Sequence, residues 1–77
     1  MSVMARDNEV AAAFGAKLRE MRGKAGLTQA ALAELAGLQA NALARIERGE
    51  REPMWSSVLK LAAALGAEPN DFRTGEE

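Results

Sequence analysis

Between Thr28 and Gly49 the chain reads Thr-Gln-Ala-Ala-Leu-Ala-Glu-Leu-Ala-Gly-Leu-Gln-Ala-Asn-Ala-Leu-Ala-Arg-Ile-Glu-Arg-Gly, and no other stretch constrains the fold as strongly. Apolar or small residues fall at Leu32, Ala33, Ala36, Leu38, Leu43 and Ile46, on either side of the lone Gly37. That spacing predicts two helices of about two turns each, crossing steeply over a turn of about three or four residues. Ala33 and Ala36 allow the second helix to come close. Gly37 supplies the turn residue whose positive φ would strain any side chain.

Around this unit the helical periodicity continues. Val10, Ala13, Phe14, Leu18 and Met21 keep a helical spacing from Glu9 onward, with Lys17, Arg19, Glu20 and Arg22 outside. Lys24 suits the C-terminus of that helix and Gly26 its end. Thr28 is a good N-cap for a helix over Gln29 to Ala36. A third helix is expected from Ala40 to Arg48, stopped by Gly49. Glu50 to Pro53 reads as a charged loop. A fourth helix starts at Ser56 or an adjacent residue, turns Val58, Leu59, Leu61, Ala62 and Leu65 inward, and ends at Gly66. Pro69 fits the first turn of a short fifth helix, with Phe72 folding back on the core; Phe14 is likewise a packing residue. No segment alternates as a strand does, so the fold class is all-α. The expected organisation is a flexible arm over residues 1–8, one domain over 9–74 and a short acidic tail over 75–77.

Composition excludes several kinds of chemistry. The 77 residues include no cysteine and no histidine. Disulfides, thiolate metal sites, thiol nucleophiles and the usual general base are therefore absent. Carboxylates are the only acid–base candidates and form no evident pair, so no enzyme and no cofactor are expected. Apolar stretches fall well short of a membrane span. Asp7 and Glu9 stand where a signal peptide would be basic. The chain reads as cytoplasmic and soluble.

The net charge of −1 counts mildly against nucleic-acid binding, but its distribution answers the objection. From Phe14 to Lys60 there are eight basic residues (Lys17, Arg19, Arg22, Lys24, Arg45, Arg48, Arg51, Lys60) against five acidic ones, giving +3. The two ends hold two basic and six acidic residues, or −4. Screening over about 8–10 Å lets such a centre present a positive face. Proteins most often use two short crossed helices of this kind to place the second in the DNA major groove.

From Lys17 to Phe72 the chain resembles the phage-repressor (Cro/C1 or XRE) type of helix-turn-helix domain. The resemblance rests on Leu18-Arg19-Glu20-Met21-Arg22, Gly26-Leu27-Thr28-Gln29 and Leu32-Ala33-Glu34-Leu35-Ala36-Gly37. It continues through Ile46-Glu47-Arg48-Gly49, Pro53 and Leu59-Lys60-Leu61-Ala62-Ala63-Ala64-Leu65-Gly66. It implies a compact five-helix, lambda-repressor-like domain that binds double-stranded operator DNA as a homodimer and regulates transcription. It also implies a buried ion pair between Arg22 and Glu47 that belongs to the scaffold.

Within that frame Thr28 and Gln29 start the second helix. Gln29 is placed at a phosphate, through its side chain and the backbone N–H groups there; the plainer reading is a polar first-turn residue. Ala40, Asn41, Ala44 and Arg45 face the bases. Asn41 can pair bidentately with adenine, and Arg45 with guanine or else with a phosphate. The alanines offer apolar contact only. Gln39 stands where the family has a serine or threonine cap; it caps poorly, or reaches a phosphate or base. Arg48 and Arg51 flank the following turn, as phosphate contacts or as solvated charge. Met54 and Trp55 either cap the core or stand exposed as part of a dimer contact.

Two other functions remain open. One is the antitoxin of a toxin–antitoxin pair, which the short acidic end disfavours. The other is a protein-interaction module with a small protein partner, which the alanine-rich third helix, the acidic isoelectric point and Trp55 favour.

Overall fold

The computed structural model describes residues 3–72, with side chains from Glu9 onward. It contains four α-helices and, among the described residues, no strand: α1 (Val3–Lys24), α2 (Gln29–Ala36), α3 (Ala40–Glu47) and α4 (Trp55–Leu65). The expected fifth helix is a single 3-10 turn, Pro69–Phe72. Four residues are too few to close α-helical bonds beyond one turn, and the Glu68 N–H is taken by the Asp71 carboxylate at 2.9 Å. The end of the expected domain at 74 and the acidic tail 75–77 lie outside the described residues.

One leucine from each helix meets at the centre. Leu18, Leu32, Leu43 and Leu61 are all fully buried and belong to one core cluster with Ala33, Ala36, Ile46, Val58, Ala62 and Phe72. α1 packs on α3, α2 on both α3 and α4, and the 3-10 turn closes over α1 and α4. Phe72 does fold back on the core, its ring centroid 5.0 Å from that of Phe14. Truncating a buried leucine in so small a core costs about 2–5 kcal/mol.

Three expectations are corrected. α1 begins at Val3 rather than Glu9, so it enters the segment expected to be an arm. Val10 is 52% exposed; the buried stripe is Ala11, Gly15 and Leu18 instead. The reason is a close approach: a Cβ built on Gly15 would lie 2.7 Å from the carbonyl oxygen of Glu47 and closer still to that of Ile46. α1 can pass the end of α3 only on its smallest residues. On α4, Leu59 is likewise exposed, since Val58, Leu61 and Ala62 already fill the face that meets α2 and the 3-10 turn.

The helix ends follow from capping chemistry. The Thr28 hydroxyl accepts from the Ala31 N–H at 3.0 Å. Gly37 adopts φ 71°, and the Leu38 N–H reaches back to the Ala33 carbonyl at 2.8 Å, closing α2 in a left-handed turn. Gln39 makes no side-chain cap bond, as its length predicts.

Candidate nucleic-acid interface

The residues of α3 divide cleanly by their position around the helix. Leu43, Ile46 and Glu47 are buried, whereas Asn41, Arg45 and the C-terminal Arg48, spaced i, i+4 and i+7, are exposed on the opposite side. Ala40 is exposed and Ala44 half-buried beside them. The structure thus brings together Ala40, Asn41, Ala44, Arg45 and Arg48 as one outward surface. Gln39 is exposed at the start of that helix and Arg51 beyond its end.

This surface stands on a polar clamp. The Arg22 guanidinium grips Glu47 with two bonds, Nε to Oε2 at 2.7 Å and Nη2 to Oε1 at 3.0 Å. Its Nη1 donates to the Leu27 carbonyl at 3.0 Å. Gln29 donates through Nε2 to Glu47 Oε1 at 2.9 Å. The ends of α1, α2 and α3 therefore converge on one carboxylate. Every buried side-chain nitrogen and oxygen among the described residues has a partner. Burial pushes the Glu47 carboxyl up, but bonds from Arg22 and Gln29 and the charges of Arg22 and Arg19 outweigh this and hold it below its ordinary value. The bond to Glu47 raises Arg22 correspondingly.

Gln29, expected at a phosphate, is thus turned inward by its side chain. The Thr28 hydroxyl takes the Ala31 N–H and its carbonyl the Leu32 N–H, which leaves the first two N–H groups of α2 without an intrahelical acceptor. These carry the partial positive charge of the helix end.

Two glycines fix the direction of the outer face. Gly15 seats α1 on the carbonyls that end α3. Gly49 turns the chain at φ 76°, where a Cβ would fall 2.9 Å from Ala12 Cα. Sequence reasoning used Gly49 only as a stop and gave Gly15 no role. An isolated glycine inside a helical pattern was the available signal for close packing.

Glu50 was also missed. In the sequence it is one charge of a loop, yet its carboxylate accepts from Arg48 Nε at 2.7 Å and Nη2 at 3.3 Å, and lies 3.8 Å from Arg45 Nε. The bond from Arg48 lowers the Glu50 carboxyl and raises the Arg48 guanidinium.

Trp55 and Met54 do not cap the core. They are 65% and 62% exposed. Trp55 and Val10 line an apolar groove of about 410 Å³ with Phe14, Pro53, Val58 and Phe72. On α4 the exposed Trp55, Leu59 and Ala63 follow one another at i+4 spacing.

Among the described residues there is no group of three or more Asp and Glu suited to a metal ion. No described helix is long and apolar enough to cross a membrane.

Residues 13–74 match the helix-turn-helix domain family. The chain is 34% identical over 66 residues to control protein C.BamHI of Bacillus amyloliquefaciens, spanning 84% of this chain and 82% of that one. The fold is similar to that of the restriction-modification controller protein C.AhdI from Aeromonas hydrophila. There the TM-score is 0.80 at 41% identity, over 82% of this chain and 96% of the other. It is also similar to the clp gene regulator ClgR from Corynebacterium glutamicum, with TM-score 0.79 at 33% identity, over 82% of this chain and 67% of that one. With an outward third helix seated on the Arg22–Glu47 clamp, the chain belongs to the Cro/C1-type helix-turn-helix family of DNA-binding transcriptional regulators.

Proposed function

We propose that this DNA-binding transcriptional regulator acts as a homodimer, each copy laying α3 in the major groove of a near-palindromic site. The observation that carries the reading is the exposed row of Asn41, Arg45 and Arg48 on a helix whose other side is locked to α1 and α2. Asn41 reads adenine and Arg45 guanine, each bidentate contact contributing about 1–3 kcal/mol of discrimination. Arg48, Arg51 and the first N–H groups of α2 hold phosphates and set register. Ala40 and Ala44 offer room for a thymine methyl, and Gln39 lies within the same approach. The site acts by binding alone, with no cofactor and no catalytic step.

The apolar row of Trp55, Leu59 and Ala63, with Met54 and Val10, supports self-association, since tryptophan is favoured as an interface anchor. Paired copies would set the two recognition helices about 34 Å apart. By likeness to the Aeromonas hydrophila controller, the genes regulated are those of a restriction–modification system.

Selection of bound sites from a random duplex library tests the whole reading. It should return a two-fold sequence whose half-sites are one helical turn apart, with affinity falling steeply as salt rises. The double change Asn41→Ala, Arg45→Ala should abolish that selectivity while the protein stays folded. Failure of the wild type to retain any duplex at micromolar concentration would overturn it. Sedimentation of Trp55→Ala as a monomer, where the wild type is a dimer, would support the α4 interface.

The same exposed α4 face favours one alternative, a module that docks a small protein. In that reading the α3 double variant keeps its partner, and co-purification of that partner decides between the two.

A further inference from the structure

We propose that Glu50 is an internal competitor for the DNA backbone, its carboxylate occupying the Arg48 guanidinium and flanking that of Arg45 until a duplex displaces it. The inference rests on α3 being the helix that enters the groove. It adds a residue that tunes affinity without touching a base.

The position of Glu50 is set by the backbone. Gly49 reverses the chain at φ 76°, packed against Ala12. The Glu50 N–H then returns to the Arg45 carbonyl at 3.0 Å, closing the end of α3. A residue held there must present its side chain beside the last outward residues of the helix. Glu50 does so with a bond of 2.7 Å from Arg48 Nε, a second of 3.3 Å from Nη2, and Arg45 Nε at 3.8 Å. The three side chains are about half exposed, at 48% for Glu50, 56% for Arg48 and 55% for Arg45.

An ion pair so open to water contributes little to folding. Its consequence lies in what the arginines can offer an incoming anion. The guanidinium fork matches a carboxylate or a phosphate with the same paired donors, and one fork cannot serve both. A carboxylate left behind after displacement still sits within about 8 Å of the phosphate and repels it. The effect is large for this chain because cations are scarce: its net charge is −1, and Arg45, Arg48 and Arg51 are the three basic residues between Thr28 and Ser56.

Phosphate is common to every sequence, so the competition weakens all duplexes alike. Only a site that adds base contacts then overcomes it. Acting through its hydrogen bonds to Arg48, a phosphate contact, Glu50 thereby raises the affinity threshold for every duplex and leaves the base preference to Asn41 and Arg45.

The test is fluorescence anisotropy with two labelled duplexes, one of unrelated sequence and one selected from a random library by the wild type. Glu50→Gln should bind both more tightly by a similar factor, about three- to tenfold near 0.1 M salt, with a salt slope steeper by about one. In an Arg48→Ala background the same substitution should gain less than about twofold, because the competed contact is gone. Circular dichroism should show all variants melting close to the wild type. Weaker binding by Glu50→Gln would mean that the carboxylate positions the arginines, and unchanged binding that it is a bystander. A gain undiminished in the Arg48→Ala background would mean a general charge effect. Each of these overturns the proposal. Retention of neither duplex by the wild type would instead sink the reading of α3, and the proposal with it.

Discussion

Two carboxylates, three residues apart, meet arginines with the same Nε-to-Oε2 distance of 2.7 Å and play opposite parts. Glu47 is 2% exposed and faces Arg22 across the junction of three helices; Glu50 is 48% exposed and faces Arg48 across one turn. Bond length does not separate them. Solvent does. Around Glu47 water is excluded, so every lone pair must be met by protein, and loss of one partner leaves the other charged and stranded. Around Glu50 water replaces any lost partner, so the pair forms and breaks at little cost. The first fixes where α3 sits. The second sets how freely its outward arginines meet an anion.

The largest expected effect tests that contrast directly. Glu47→Ala strands Arg22 and Gln29, and should cost about 3–5 kcal/mol in denaturant unfolding. Glu50→Gln should leave the unfolding midpoint unchanged. Equal losses from the two would erase the distinction drawn here.

Next in size is Gly15→Ala. The added methyl meets backbone carbonyls that cannot rotate away, so α1 must lift from α3, at about 1–3 kcal/mol. Measured melting should fall accordingly, and DNA affinity with it, because the seat of the outward helix has moved. A fully stable Gly15→Ala would show that α1 does not set the position of α3.

Acid sharpens the comparison further. The Glu47 carboxyl is lowered in the folded chain, so its contribution is complete above its ordinary value, about pH 4.5, and is lost as pH falls through the lowered folded value. Urea midpoints should therefore decline below about pH 5 in the wild type. Glu47→Gln should flatten that decline and Glu50→Gln should preserve it. A decline that disappears with Glu50→Gln alone would reverse the assignment.

The smallest expected effect concerns the other end of α3. Gln39 leaves the helix uncapped, and Gln39→Ser should add about 0.5–1 kcal/mol of stability. No gain would show that the clamp at Glu47 already holds the whole helix.

Much of the fold was legible because its signals are local. Thr28 before an apolar run, Gly37 between two short patterns and Gly66 after a third place α2, α3 and α4 to within a residue or so. The outward row of Asn41 and Arg45 was implied by the family resemblance, whose third helix exposes those positions, and both side chains are exposed. The facing of α1 and α4 was less legible. Val10 and Leu59 sit at apolar positions of plausible spacing, yet each lies one residue from the buried stripe. A helical wheel with apolar residues on more than half its rim has no unique inward direction, and alanines blur it further. Gly15, Gly49 and Glu50 were opaque for a different cause: each acts through a neighbour brought near by folding.

Sequence alone determined that this chain is a set of helices punctuated by glycine turns and bearing the motifs of a helix-turn-helix family, because periodicity, turn chemistry and motif spacing are written within a few residues. Only the tertiary structure decided which side of α1 meets α3, that Gln29 turns inward to Glu47, that Trp55 faces solvent, and that Glu50 shadows Arg48. Those outcomes depend on which surfaces exclude water and which charges come within bonding reach, and both are properties of the packed helices rather than of any one segment.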